Sequence, residues 1–192
     1  DVSLKCDEPE TVLETYVEAQ MPVSAPLFYM GIKEPAYART AETIAGARVL
    51  TELMLGKTSP LYTQLMNEGL INDSFEAEYF CGPGYGVWLI GGESADPVRV
   101  KELVCAEITR LQKEGIDPAA ADAVRRGCYG RLVAGLDDPS DCAEMLLSNL
   151  MDGIEPLAEL DALAALSADS LQKQLLERFP VDATTLSVVK PL

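Results

Sequence analysis

A proline that directly follows a serine or an aspartate constrains the fold of this chain more than any other sequence feature. It occurs four times, as Ser59-Pro60, Asp96-Pro97, Asp117-Pro118 and Asp138-Pro139. A short polar side chain can accept hydrogen bonds from the free N–H groups of a helix's first turn, and proline suits the first helical position, where no N–H is needed. Each pair therefore predicts the start of a helix.

Apolar periodicity supplies the other elements. Alternation predicts strands over residues 11–21 and 26–34, and the segments FEAEYF, GVWLI and TTLSVVK predict three more. A broad apolar face predicts a helix from Arg39 to Leu55, and a last helix is expected from about Ser167 to Phe179. The predicted order is β-β-α-α-β-β-α-α-α-α-β.

This order favours an α/β fold of the α+β type, a two-layer sandwich in which helices back an antiparallel or mixed sheet. Residues 1–192 are expected to form a single domain, because no linker or low-complexity tract interrupts them. The chain opens with DVSLKCDEPE and no initiator methionine. We therefore expect it to be a segment of a longer protein.

Charge narrows the classes of partner. Fifteen basic and thirty-one acidic residues give a net charge of -16, which repels nucleic-acid phosphates and anionic lipids. No apolar run approaches the roughly 18 residues that a membrane helix needs. We expect neither a nucleic-acid partner nor a membrane, and a cytoplasmic location. The negative field could attract basic ligands, or it could serve solubility alone.

The absence of histidine excludes most hydrolytic centres. The chain has no imidazole for a Ser-His or Cys-His pair, and it has no Cys-x-x-Cys pair. Its cysteines are Cys6, Cys81, Cys105, Cys128 and Cys142. We expect free thiols in a reducing compartment, and no metal or cofactor in this chain.

Two motifs resemble ligand-binding sequences but have simpler explanations. GPGYGV, residues 82–87, is glycine-rich like a phosphate-binding loop, but a strand is predicted to follow it, so a hairpin turn is preferred. The run from Asp137 to Asp141 has the DDxxD spacing of magnesium ligands. Asp138 is better explained as a helix N-cap, with Asp141 in the first turn.

Two further patterns place reactive groups at regular spacing. Ser170 and Lys173 match S-x-x-K, but the lysine would have to be desolvated to act as a base, and neighbouring glutamines favour a solvated surface. Four glutamates stand on predicted strands: Glu14, Glu18, Glu76 and Glu78. They could form acid/base pairs or simply face solvent.

Four segments in sequence order resemble the insulinase/pitrilysin family of zinc metallopeptidases, and within it the bacterial two-domain members. They are MPVSAPLFYMGIKE, LTELMLGKTSPLYTQLMNEGLINDSF, IGGESADP and TTLSVVKP. The most specific element has the form L-x-E-x-x-x-G-x-x-S-x-L-Y-x-x-L-x-x-E-G-L and runs from Leu50 to Leu70. The resemblance spans nearly the whole chain.

The resemblance implies one of two homologous halves, each with a fold like that of a mitochondrial processing peptidase half. In this family the catalytic half carries H-x-x-E-H, in which two histidines and a downstream glutamate hold zinc. The other half lacks the motif and helps to bind an extended peptide across a chamber. Without histidine, this chain resembles that second half, the catalytically silent C-terminal domain of a zinc-dependent metalloendopeptidase.

The resemblance also implies partners. Zinc would be held by the N-terminal half of the same protein, a peptide would be the substrate, and a homologous subunit would complete a dimer. The alternative is a non-peptidase structural partner that pairs with an active peptidase subunit.

The chain departs from the family at two positions that steady the substrate. Second halves of active members carry an arginine directly after the leucine of LYxxL and a tyrosine farther along. Here Met66 stands at the arginine position, and Asn72 or Asp73 at the tyrosine position. A methionine cannot donate a charge-assisted hydrogen bond to a developing oxyanion, a contribution of about 3 kcal/mol in other hydrolases. We expect Met66 and Asn72 at a substrate-binding surface, and no catalytic residue.

Overall fold

A computed structural model describes residues 9, 11–35, 39–82 and 84–192 of the chain. These residues form five strands and seven helices: β1 (Tyr16–Met21), β2 (Leu27–Lys33), α1 (Ala41–Leu55), α2 (Pro60–Asn67), β3 (Glu76–Gly82), β4 (Tyr85–Glu93), α3 (Pro97–Glu114), α4 (Pro118–Gly135), α5 (Pro139–Met151), α6 (Ala158–Ala165), α7 (Ala168–Arg178) and β5 (Thr184–Pro191). The predicted order is confirmed apart from α6, which the sequence analysis missed.

All four predicted helix starts are confirmed. The side chains of Ser59, Asp96, Asp117 and Asp138 each accept a hydrogen bond from the first turn of the helix that follows. Asp138 Oδ1 accepts from the N–H groups of Ser140 at 2.8 Å and Asp141 at 3.1 Å. The DDxxD run therefore caps α5, as preferred from the sequence.

The five strands form one mixed sheet in the order β1-β5-β2-β4-β3. β1 pairs with β5 in parallel, and the other pairs are antiparallel. The glycine-rich segment joins β3 to β4 as the predicted hairpin, and Gly84 in its turn has φ +85°, a conformation that favours glycine. β1 begins at Tyr16 and not at residue 11, because its pairing with β5 starts at Tyr16 opposite Leu186. Just before the strand, the carbonyls of Glu14 and Thr15 accept hydrogen bonds from the Thr185 hydroxyl and the Leu186 N–H.

Within the described ranges, helices cover one face of the sheet. The side chains of this face are almost fully buried against them: Phe28, Met30, Ile32, Trp88, Ile90, Leu186 and Val188. Burying a side chain of this size contributes about 1.5–3 kcal/mol. In the described part of the chain no helix is long and apolar enough to cross a bilayer. The architecture is the expected two-layer α+β sandwich.

A buried ion pair joins the sheet to the helices. Arg178 and Glu34 are 4% and 3% exposed, and the guanidinium donates to the Glu34 carboxylate. It also donates to the Thr43 carbonyl and to Gln174 Oε1, each at 2.6 Å. The Tyr79 hydroxyl donates to the second oxygen of Glu34. These bonds tie the ends of β2 and α7 to α1 and to β3.

Candidate functional site

The face of the sheet turned away from the helices is a candidate surface for a partner. Strand pairing places alternate residues of four neighbouring strands on it, and we call it the open face. Its members are Leu27, Tyr29, Gly31 and Lys33 of β2, Val87, Leu89 and Gly91 of β4, Glu76, Glu78 and Phe80 of β3, and Thr185, Ser187 and Val189 of β5. Its middle is apolar and its β3 border is acidic.

A tyrosine links the middle of the open face to that acidic border. Tyr29, Gly91 and Glu76 stand side by side on β2, β4 and β3. A Cβ at Gly91 would lie 2.5 Å from the Tyr29 ring, so the glycine lets the ring cross β4. The Tyr29 hydroxyl, on a side chain that is half exposed, lies 3.5 Å from Glu76 Oε1 and donates to it.

A hollow of about 540 Å³ lies between the start of the chain and the open face. Pro9 and residues 11–13 form one wall, and Gly31, Val87 and Thr185 contribute to the other. A Cβ at Gly31 would lie 3.0 Å from Thr185 Cγ2, which is tighter than an ordinary contact. A side chain at position 31 would therefore crowd Thr185 in this wall.

Asn72 is bound to its own loop. Its Nδ2 donates to Glu93 Oε2 at 2.7 Å, and its Oδ1 accepts from the N–H of Ser74 at 2.9 Å and from the Ser74 hydroxyl at 2.6 Å. The Ser74 hydroxyl also accepts from the N–H of Glu93 at 2.9 Å. Both polar atoms of the Asn72 amide thus fix the loop to the end of β4.

Met66 lies on the last turn of α2. Among the described residues, Met66 and Asn72 share no hydrogen-bond partner that would join them in one site. The Met66 side chain is 36% exposed, and its carbonyl accepts from the N–H of Gly69 at 3.1 Å. Asp73, the other candidate at the tyrosine position, is exposed in the loop. A hollow of about 190 Å³ adjoins Asn72 and Glu93. That Met66 and Asn72 contact a substrate stays a prediction.

The remaining sequence patterns have structural roles. Ser170 forms a reciprocal capping pair with Ser167 at the start of α7, and Lys173 Nζ lies on the surface, 4.0 Å from Glu177. Glu18 bonds to Lys190 Nζ at 2.8 Å, and this bond, more than the one from Tyr16, lowers the pKa of the Glu18 carboxyl. These groups are held in local pairs on the surface and not in a catalytic arrangement.

The described cysteines, Cys81, Cys105, Cys128 and Cys142, are free thiols. Burial raises the pKa of Cys81, Cys105 and Cys128, although nearby cations act in the opposite direction. Cys6 lies outside the described residues. Among the residues that are described, no group of three or more acidic, cysteine or histidine side chains could hold a metal ion.

The sequence analysis missed a second hollow beside β3, on the helix side of the sheet. It measures about 360 Å³, and we call it the edge hollow; it is lined by Ile44, Arg48, Thr51 and Glu52 of α1, Ala77, Glu78 and Tyr79 of β3, and Arg131 of α4. Arg48 bonds to Glu159 at 2.7 Å and Arg131 to Glu52 at 3.2 Å. The lining residues come from three segments that are far apart in the sequence. The only signal in the sequence was therefore the helical spacing of the α1 residues among themselves.

Comparisons with known proteins agree on one family. The family described as the peptidase M16 inactive domain matches residues 2–128. The uncharacterized zinc protease YmfH of Bacillus subtilis is 22% identical over 188 residues, which are 96% of this chain and 44% of that protein. The chain therefore spans less than half the length of this relative.

Solved structures share the fold. An M16-like peptidase from Alicyclobacillus acidocaldarius matches with a TM-score of 0.89 and 24% identity, over 97% of this chain and 46% of that one. An inactive peptidase domain from Bordetella parapertussis matches with a TM-score of 0.72 and 15% identity, over 91% of this chain and 95% of that one. The resemblance drawn from the sequence is thereby confirmed: the chain belongs to the peptidase M16 inactive domain family.

Proposed function

We propose that this chain is the silent half of a zinc-dependent metalloendopeptidase and forms one wall of its peptide-binding chamber. The observation that carries the proposal is the open face, a broad and partly apolar sheet surface without a covering layer in the described chain. Contiguous apolar surface of this kind marks an interaction site in a folded protein. In the proposed assembly a zinc-bearing N-terminal half lies across the chamber from this wall.

The residues of this chain do not fit zinc. The sequence contains no histidine, and the described residues contain no cluster of ligands. Zinc, if the whole protein binds it, would be held by the other half. No step of hydrolysis is assigned to this half.

The wall would bind and orient a peptide rather than stabilise a reacting oxygen. The Met66 thioether has no proton to donate, and the Asn72 amide is engaged by Glu93 and Ser74. The proposed contribution is therefore to substrate affinity. We also propose a homologous subunit as a dimer partner, and a cytoplasmic location that suits the free thiols of the described cysteines.

The test compares the isolated 192-residue chain with the full-length protein. We expect the isolated chain to retain no stoichiometric zinc by elemental analysis and to cleave no quenched fluorescent peptide. The full-length protein should cleave it and lose activity with a chelator. One tightly held zinc per isolated chain, or turnover that survives both purification and chelator, would overturn the proposal.

A structural partner without substrate contact is the second candidate, favoured by the methionine at position 66, where the family resemblance implies an arginine in active members. The open-face variant Leu89→Lys separates the two candidates in the full-length protein. A chamber wall predicts a raised KM with an unchanged oligomeric state. A structural partner predicts an unchanged KM.

A further inference from the structure

We propose that the outer edge of β1 pairs with β1 of a second copy of this chain, antiparallel and about a two-fold axis at Ala19, so that the two sheets become one. The inference rests on the dimer that the proposed function includes, and it gives that dimer a surface and an identical chain as the homologous subunit. It follows from three features of β1: an unblocked edge, backbone groups directed outward, and a sequence that is complementary to itself.

β1 lies at the opposite end of the sheet from β3. In the part of the chain that the structure describes, β5 is the only strand that pairs with it. Its residues are exposed except for half-buried Ala19, and the exposed side chains include Tyr16, Val17 and Met21. The strand contains neither lysine nor proline, the residues with which many proteins block a free edge. Such an edge is suited to pair with another strand.

The backbone of β1 directs every second residue outward. The Thr15 carbonyl accepts from the Leu186 N–H at 3.0 Å, which places the N–H and C=O groups of odd-numbered residues on the β5 side. The N–H and C=O groups of Tyr16, Glu18 and Gln20 therefore point away from β5. An antiparallel partner strand can exchange hydrogen bonds with these groups.

The sequence YVEAQM is complementary to itself when the axis lies at Ala19. Glu18 then exchanges backbone hydrogen bonds with Gln20 of the partner subunit, and its carboxylate lies beside an amide that can donate to it. On the other face of the sheet, Val17 lies opposite Met21 of the partner subunit, and the two small Ala19 side chains meet at the axis. Each side chain thus faces one of matching character.

The alternative registers are less favourable. An axis at Glu18 would place the Glu18 carboxylates of both copies opposite one another, and like charges in this arrangement destabilise a strand pair. An axis at Val17 would pair only residues 16–18 within the strand, because the pairing would run past its start at Tyr16. The axis at Ala19 pairs residues 17–21 without opposing charges.

Charge favours an identical strand over a basic or an acidic one. Glu18 is the only charged residue of β1, and its carboxylate is paired with Lys190 Nζ at 2.8 Å. The edge is therefore close to neutral, although the chain carries a net charge of -16. A basic strand would find no unpaired carboxylate on β1, whereas a second YVEAQM strand needs none.

Position-specific crosslinking tests the register. Opposite residues that exchange no backbone hydrogen bonds have Cα atoms about 4.5 Å apart, within the range of about 4.4–6.8 Å that a disulfide spans. We expect Ala19→Cys to form an intermolecular disulfide under mild oxidation. Val17→Cys is the matched control, because the two copies of residue 17 would lie roughly 13 Å apart along the strands. The native thiols are common to both variants, so a difference reports the added cysteine alone.

Sedimentation measures the dimer without a crosslink, at about 0.15 M ionic strength, where a Debye length of about 8 Å limits repulsion between the acidic chains. We expect a concentration-dependent dimer. Ala19→Lys would place two ammonium groups face to face and should raise the dissociation constant roughly fivefold or more. Ala143→Lys adds the same charge at an exposed position of α5 and should leave that constant unchanged. Urea midpoints check that both variants are folded.

The inference fails if the chain is monomeric at every soluble concentration, if Val17→Cys crosslinks as well as Ala19→Cys, or if Ala143→Lys weakens the dimer as much as Ala19→Lys. A disulfide that the isolated chain forms and the full-length protein does not would also contradict it, because the other half of the protein would then cover this edge. None of these results bears on zinc content or peptide cleavage, so the proposed function is tested separately.

Discussion

The amide of Asn72, which with Asp73 is one of two candidates for the position where the family resemblance implies a tyrosine, clamps the loop that follows α2. The bonds to Glu93 and Ser74 leave the Nδ2 and Oδ1 atoms engaged with neighbours on the protein. The position was recognisable from the sequence, whereas its new role was not. That role depends on Glu93, a residue of another strand whose distance from Asn72 is set by the fold.

The Arg178–Glu34 pair gives the first prediction. Arg178→Met keeps the bulk of the side chain but leaves the buried Glu34 carboxylate without its cation, so we expect the free energy of unfolding to fall by about 3–5 kcal/mol. Urea unfolding monitored by circular dichroism measures it. Lys173→Met on the same helix, where the side chain is 74% exposed, is the control and should change stability by at most about 0.5 kcal/mol. A loss below about 1 kcal/mol for Arg178→Met would contradict the assigned role.

This pair also shows the limit of the sequence at the scale of single residues. Glu34 and Arg178 are 144 positions apart, and neither stands in a recognisable motif. The sequence analysis placed Glu34 at the end of a strand and Arg178 near the end of a helix. Only the fold, in which α7 packs against α1 near the end of β2, makes them partners.

At the scale of elements, predictability followed local chemistry. The four helices that begin with a polar cap and a proline were located within a residue, because their start signals lie in the sequence itself. α6 was missed because its N-cap, Leu157, makes no side-chain capping bond and the helix has only eight residues. Tertiary packing rather than a start signal stabilises it, since Leu163 is fully buried.

Two helical glycines give the second prediction, with opposite signs. A Cβ at Gly46 of α1 would lie 2.0 Å from Gln174 Oε1, which Arg178 holds in place, so Gly46→Ala should destabilise the protein by about 1–3 kcal/mol. A Cβ at Gly130 of α4 would meet no atom within 4 Å. Gly130→Ala should stabilise by about 0.5–1 kcal/mol, because alanine favours a helix. Thermal unfolding of both variants measures this, and shifts of the same sign would refute it.

The order of the strands in the sheet was harder to predict from the sequence than the strands themselves. Periodicity located all five strands, but it carries no information about which strands become neighbours. β1 and β2 follow one another in sequence, and yet β5 lies between them. The open face and its acidic border therefore emerged only once the pairing was known.

At the scale of the whole molecule, the charge balance gives the third prediction. A net charge of -16 on a chain of 192 residues creates self-repulsion in the folded state, which salt screens. We expect the urea midpoint to rise when sodium chloride increases from about 10 to about 200 mM, because the Debye length then shortens from about 30 Å to less than about 8 Å. Choline chloride should act equally, because screening does not depend on the cation. A rise with sodium alone would indicate a specific cation site instead.

The family could be recognised from the sequence although few of its residues belong to a chemical motif. The family match covers residues 2–128, so that Glu34 lies within it and its ion-pair partner Arg178 lies beyond it. The motif from Leu50 to Leu70 spans the end of α1 and all of α2, which precede the acidic edge strand. This motif was enough to suggest the family from the sequence. The edge hollow could be recognised only in the folded structure, because Arg131 of α4 also lines it.

The position of β5 between β1 and β2 has a consequence for biosynthesis. Residues 184–191 bridge β1 and β2, which are made more than 150 positions earlier. The ribosome must therefore release almost the entire domain before the sheet can close, and until then β1 has no partner in the described chain. Nascent chains stalled before residue 184 should be captured by chaperones, while chains extended past residue 192 by a tunnel-length linker should resist protease.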